Sequence, residues 1–144
     1  MELPFKRLSD GAALPQAAHP GDAGLDLRST IHVKVGPGER VMVPTGVAVA
    51  IPRGYAGLVL PRSGLASKHG LTLANAPGLI DAGYRGELIC AMVNLDLSTP
   101  VVIAAGDRIA QLVIIAAPEV QPGWAQTLPN SSRGQDGFGS TGTS

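Results

Sequence analysis

Apolar residues fall along this chain in short runs divided by turn-forming groups, the pattern of strands rather than helices. The runs are Ile31 to Val35, Val41 to Ile51, Ala56 to Leu60, Leu71 to Ala74, Glu87 to Leu97, Val101 to Ala104 and Arg108 to Ala116, and Val and Ile dominate them. Gly36-Pro37-Gly38 and Asp81-Ala82-Gly83 are typical dividers, because Gly supplies positive φ while Pro and Asp favour tight turns. No window of helical length carries an i, i+3, i+4, i+7 apolar stripe, and only Gly64 to His69 has room for a turn or two of helix. The pattern predicts an all-β domain without internal repeats.

Two segments, Val41 to Ile51 and Leu88 to Val93, are apolar on both faces, whereas a sheet with one wet face alternates. A sandwich covers one face and a second copy of the chain covers the other, which predicts a homo-oligomer; the alternative is a strand enclosed within one chain. From Thr127 the composition changes to Ser, Gly, Thr, Asn and Gln, with too little apolar surface to offset the entropy of ordering. Residues 1–126 are therefore expected to form the domain and residues 127–144 a flexible arm. The arm carries Arg133 and Phe138, suited to gripping a phosphate and stacking on a base; the plainer reading is an inert terminus.

Composition removes several classes of function. A chain of 144 residues suits one domain. Its 11 Lys+Arg balance 11 Asp+Glu, so it lacks the basic excess of a general nucleic-acid binder. Cys90 is the lone cysteine; it can form no intrachain disulfide, is expected to be a small buried hydrophobe, and favours a reducing compartment. Neither a signal peptide nor the ~18 apolar residues of a membrane span can be found. We expect a soluble cytoplasmic protein.

Three segments could carry chemistry. Gly137 to Gly142 fits G-x-G-x-x-G, but no strand–helix context surrounds it, so it is a run of backbone donors and hydroxyls rather than a dinucleotide fingerprint. Pro61-Arg62-Ser63-Gly64-Leu65-Ala66 sets a guanidinium and a hydroxyl at a strand-to-helix junction, where they can converge on a phosphate; otherwise Ser63 is a plain N-cap beside a solvated Arg62. A Ser63–His69 nucleophile pair lacks both the surrounding elbow and an orienting acid. Asn75 to Gly86 joins two apolar strands and holds Asn75, Asp81 and Tyr84, enough to bind a small polar ligand; otherwise it is a hairpin turn capped by Asp81. His19, His32 and His69 are too scattered for zinc, while Asp26 and Asp81 suit a hard cation such as Mg²⁺.

In order, Ala23-Gly24-Leu25-Asp26-Leu27, Pro61 to Ala66, Asn75 to Gly86, Gly106-Asp107-Arg108-Ile109-Ala110-Gln111-Leu112 and Arg133 to Gly142 resemble the five motifs of the trimeric dUTPase family. The resemblance spans nearly the whole chain. It implies a jelly-roll β fold, a homotrimer with sites shared between subunits, and Mg²⁺-dependent hydrolysis of dUTP to dUMP and pyrophosphate, which limits uracil in DNA and supplies dUMP for dTMP synthesis. By that resemblance Asp81 is the base that activates the attacking water, Tyr84 lies against the deoxyribose, and Asn75 with the backbone around Leu79, Ile80 and Ile89 reads uracil. Arg62, Ser63, Gly64 and Gln111 contact phosphates, and Asp26 holds Mg²⁺ through water. Gln111 sits in an apolar run, where an unpaired amide would cost ~1–3 kcal/mol, so a bound partner is expected there. In the arm, Phe138 stacks over uracil while Arg133, Gly139, Ser140 and Thr141 approach the γ-phosphate. Asp136 stands where the family pattern has a glycine and brings a negative charge close to an anionic ligand.

The fold-sharing dCTP deaminases use a Glu in the third motif, and Gly78 to Gly86 contains none. A nucleotide sensor acting on a protein partner and a purely structural β-trimer are the non-enzymatic readings; the second leaves Arg133 and Phe138 unexplained.

Overall fold

The computed structural model describes residues 1–135 and 137. In chain order the elements are β1 Phe5–Arg7, β2 Leu25–Arg28, β3 Val33–Val35, β4 Arg40–Pro44, β5 Val47–Val49, β6 Tyr55–Pro61, α1 Ser63–His69, β7 Leu71–Leu73, β8 Gly78–Ile80, β9 Ile89–Asn94, β10 Val101–Ile103 and β11 Arg108–Ala116. The fold is all-β, as the run pattern predicts, and the one short helix among the described residues lies where the sequence leaves room for it.

Two sheets carry most of the structure: a four-stranded sheet ordered β2-β11-β6-β8 and a three-stranded sheet ordered β4-β9-β7. The ribbons β1-β5 and β10-β3 complete the shell. Leu27, Ile109, Ala110 and Leu112 from the larger sheet pack into one core with Val43, Leu71, Leu73, Cys90 and Met92 from the smaller. Each fully buried Leu or Val contributes about 1.5–3 kcal/mol relative to exposure. Burial pushes the Cys90 thiol up to about 12, because a thiolate there would lose its solvation.

Several strands are shorter than the apolar runs suggest. Val41 to Ile51 is interrupted between Pro44 and Val47, because Gly46 turns the chain at φ +70° against Ala12 and Thr30. A side chain at Gly46 would be both strained and crowded. Asn75 to Gly86 is not a simple hairpin: β7 pairs with β9, while the connection between them sends out β8 to pair with β6 in the other sheet.

The doubly apolar segments divide. β5 is buried throughout by this chain alone, so its pattern needs no partner. On the outward face of β4 and β9, however, Met42 remains 61% and Ile89 48% exposed. Beyond β11, residues 118–135 form no helix or strand and lie on the surface.

Candidate active site

Alternation in β2 turns Leu27 into the core and puts Asp26 on the opposite face. A bulge in β11 between Arg108 and Ala110 lets Ile109 and Ala110 both face inward. Gln111 then emerges opposite Asp26 on one side and Leu60 on the other. This row ends beside Pro61, where β6 gives way to α1. Arg62 is the N-cap, with extended φ/ψ and no side-chain cap, and Gly70 closes the helix in the left-handed conformation. A Cβ on Gly70 would also stand 2.8 Å from the Asp96 backbone nitrogen. Ser63 is thus the first helical residue rather than the cap, and its hydroxyl is not committed to capping.

Arg62 is not a solvated side chain either. Its Nε meets Asp26 Oδ1 at 3.2 Å, and Arg108 Nη1 meets Asp26 Oδ2 at 3.2 Å. Asp26, 14% exposed at the side chain, is held between two guanidiniums, and the trio carries a net positive charge that favours an anion. Gln111 Nε2 donates to the Pro61 carbonyl at 3.0 Å. The expectation that this amide waits for a bound partner is therefore corrected: the chain supplies one acceptor, and the second amide hydrogen and the carboxamide oxygen remain for a ligand. A Cβ at Gly24 would overlap the Gln111 carboxamide, so a side chain there would displace that amide.

Asp26, Arg62, Ser63, Gly64 and Gln111 line one open cleft of about 560 Å³, with Asp22, Lys68 and His69 also on its walls. Sequence reading missed Asp22, Lys68 and His69 as wall residues; Lys68 and His69 fall one turn beyond Gly64 and Leu65, a helical spacing that would have placed them on the same side.

The other expected residues lie elsewhere. β8 is the edge of the four-stranded sheet, so one side of its backbone at Leu79 and Ile80 has no strand partner among the described residues. Asn75 lies over the start of this strand, its Nδ2 within 3.2 Å of where a Cβ on Gly78 would be. Ile89 begins β9 beyond the last β7 pair, Leu73 with Met92. After β8 the chain turns so that Tyr84 N–H donates to the Asp81 carbonyl at 3.0 Å, and Tyr84 Oη donates to the Glu87 carbonyl at 2.9 Å. Asp81 lines a separate depression with Arg53, Tyr55 and Arg85. The β6–β8 pairs run from Val59 with Gly78 to Gly57 with Ile80, and Asp81, the next residue, lines the same depression as Ala56. Arg62 is six residues further along, roughly 20 Å at about 3.3 Å per residue. One chain does not bring Asp81 to the Arg62 cleft.

Arg133 is exposed; Phe138, Gly139, Ser140 and Thr141, with Asp136, lie outside the described residues. Among the described residues no three His, Cys, Asp or Glu groups gather to hold a metal, and no helix is long and apolar enough to cross a membrane.

Residues 10–142 match the dUTPase family model. The chain belongs to the dUTPase family. It is 57% identical over 129 residues to the deoxyuridine 5'-triphosphate nucleotidohydrolase of Leifsonia xyli, covering 90% of this chain and 85% of that one. The corresponding Mycolicibacterium gilvum protein is 52% identical over 145 residues, with 97% and 94% covered. Among solved structures, a Staphylococcus bacteriophage 80alpha dUTPase variant with dUpNHpp superposes at a TM-score of 0.93, with 33% identity and 99% of each chain covered. The dUTPase from phage phi11 of S. aureus, in a variant described with a structural Mg(II) ion, superposes at 0.84 with 30% identity, 90% of this chain and 100% of that chain covered. The jelly-roll β fold expected from the motifs is thus the fold of this dUTPase-family chain.

Proposed function

We propose that this chain hydrolyses dUTP to dUMP and pyrophosphate in the cytoplasm, as a homotrimer whose sites are assembled between subunits. The observation that carries the reading is the row Asp26–Gln111–Leu60 leading into Arg62-Ser63-Gly64, which gathers three distant segments into one anion-attracting cleft. The triphosphate lies there against Arg62, the Ser63 hydroxyl, the Gly64 backbone and the free amide hydrogen of Gln111. Uracil is read by Asn75 and the open edge of β8 near Leu79 and Ile80, with Ile89 alongside, because edge donors and acceptors can imitate a pairing base. Tyr84 packs on the deoxyribose and leaves no room for a 2′-hydroxyl.

Asp81 of one subunit meets the cleft of another. It takes a proton from a water as the water oxygen bonds to the α-phosphorus; the bond to the bridging oxygen breaks and pyrophosphate leaves. Positioning and charge stabilisation do the rest. Asp26 fits Mg²⁺ only through water: both its oxygens already face arginines, yet each keeps a lone pair for a metal-bound water, and triphosphate oxygens would be the direct ligands. Bound there, Mg²⁺ would neutralise the triphosphate charge. The arm, residues 127–144, closes over the nucleotide through Arg133, Phe138, Gly139, Ser140 and Thr141. By this activity the enzyme keeps uracil out of DNA and supplies dUMP for dTMP synthesis.

The test is pyrophosphate release by purified protein with Mg²⁺ from dUTP, dTTP, dCTP and UTP, with a chelator control. Release from dUTP alone, abolished by the chelator, supports the reading. Ammonia from dCTP, or tight dUTP binding without release, contradicts it.

A further inference from the structure

The segment that carries Asp81 and Tyr84 is fixed at both ends, and one of those attachments is a side chain with no part in the chemistry described above. At the front, Ile80 pairs with Gly57 on β6. At the back, three hydrogen bonds tie the chain to the turn between β4 and β5. Glu87 Oε1 accepts from the Gly46 backbone N–H at 2.7 Å, the Leu88 carbonyl accepts from Thr45 Oγ1 at 2.6 Å, and Leu88 N–H donates to the Val47 carbonyl at 2.8 Å. Thr45 and Leu88 are buried, and the Glu87 bond is partly buried.

Tyr84 hangs from this anchor. Its hydroxyl donates to the carbonyl of Glu87 itself, and its ring lies so close over Gly86 that a Cβ there would overlap the phenol. The ring position therefore follows the position of the Glu87–Leu88 peptide, which is held by its own N–H on the Val47 carbonyl and, from the side of the turn, by the Glu87 carboxylate on Gly46. A carboxylate accepting a backbone N–H is among the stronger hydrogen bonds. A turn whose residues are 81 exposed, 83 exposed, 84 exposed and 85 exposed has little packing of its own to hold it.

We propose that Glu87 is a positioning residue for sugar selectivity: its carboxylate on Gly46, together with the Leu88 N–H on Val47, fixes the Glu87–Leu88 peptide, and so the Tyr84 ring that excludes a 2′-hydroxyl. The inference rests on the reading of Tyr84 given under Proposed function. Glu87 touches neither the nucleotide nor the reacting atoms, so its loss relaxes discrimination rather than removing chemistry.

The experiment measures kcat/KM for dUTP and for UTP in the full-length protein and in Glu87→Ala, Glu87→Gln, Tyr84→Phe, Tyr84→Ala and Glu87→Ala/Tyr84→Phe, with melting temperatures alongside. A merely structural loss scales both nucleotides together and leaves their ratio unchanged. We expect Glu87→Ala to lower the dUTP/UTP ratio at least tenfold, and Glu87→Gln, which keeps an acceptor for Gly46, to restore it to within about threefold of the parent. Tyr84→Phe should lower the ratio too, and the double variant should fall no further than the lower single one, as residues on one tether are not additive. Should Glu87→Ala fail to fold, the Tyr84→Phe and Glu87→Gln ratios decide: an unchanged ratio in Tyr84→Phe, or a Glu87→Gln ratio as low as that of Tyr84→Ala, overturns the proposal. An unchanged ratio in Glu87→Ala with a collapsed ratio in Tyr84→Ala overturns the role of Glu87 alone. An unchanged ratio in Tyr84→Ala overturns the reading of Tyr84 and the proposal with it.

Discussion

Arg62 meets Asp26 through Nε at 3.2 Å rather than through both terminal nitrogens, so part of the guanidinium stays available to the cleft while the carboxylate fixes its plane. Asp26 in turn has Arg108 on its other oxygen. With its charge already compensated and no acidic cluster nearby among the described residues, it is a weak site for a bare cation. We expect Mg²⁺ alone to show no measurable binding by calorimetry and to bind once nucleotide is present. Asp26→Asn should raise the Mg²⁺ concentration for half-maximal turnover by about 10–100-fold, as for other residues that act through a metal-bound water. Its stability cost should be about 1–2 kcal/mol, less than for a buried pair because both arginines reach solvent. Unchanged Mg²⁺ dependence would remove Asp26 from that role.

Cys90 makes stability depend on alkaline pH in a defined direction. An ordinary thiol titrates near 9, and burial raises this one to about 12. Below 9 both folded and unfolded chains keep the proton and nothing is linked to pH. Between 9 and 12 only the unfolded chain releases it, so stability falls as pH rises, by about 1.4 kcal/mol per unit. The urea midpoints of the parent and of Cys90→Ala, compared at pH 8 and pH 10.5, should show the parent losing about 2 kcal/mol more than the variant. Native Cys90 should also resist iodoacetamide at pH 8; rapid labelling would contradict its burial.

Much of this was legible in the chain, and the rest has physical reasons for being hidden. The bounds of β11 are legible in the sequence, because its nine residues are mostly apolar and of strand-forming type. β2 is not legible as a strand although Leu25 and Leu27 alternate with Asp26 and Arg28, since four residues give too little period to register. β8 was hidden because its pairing with β6 is non-local, and that pairing decides where Asp81 stands. The break at Gly46 depends on contacts with Ala12 and Thr30, remote in sequence. The residue types of the site were readable from their motifs; their separation along β6 was not, because register belongs to tertiary structure.

Residues 118–135 lie on the surface, which supports the proposal that residues 127–144 are an arm separable from the fold. Removing residues 127–144 should change stability by less than about 1 kcal/mol, since no described residue in that stretch is buried. Turnover of dUTP should fall at least tenfold. A truncated protein that no longer folds would contradict the division at residue 126.

The most direct test of the account follows from the placement of Asp81 in the same depression as Ala56, with Arg62 six residues along β6. Asp81→Asn and Arg62→Ala are each purified alone, then mixed one to one through denaturation and refolding, and dUTP turnover is measured. Asp81→Asn alone should lose about 10²–10⁴-fold in kcat while still binding nucleotide, and Arg62→Ala alone should be strongly impaired. If Asp81 of one subunit serves the Arg62 cleft of its neighbour in a closed trimer, about a quarter of the sites in the mixture regain both residues, and turnover recovers to about a quarter of the parent rate. A mixture no more active than the two variants would contradict a site shared between subunits.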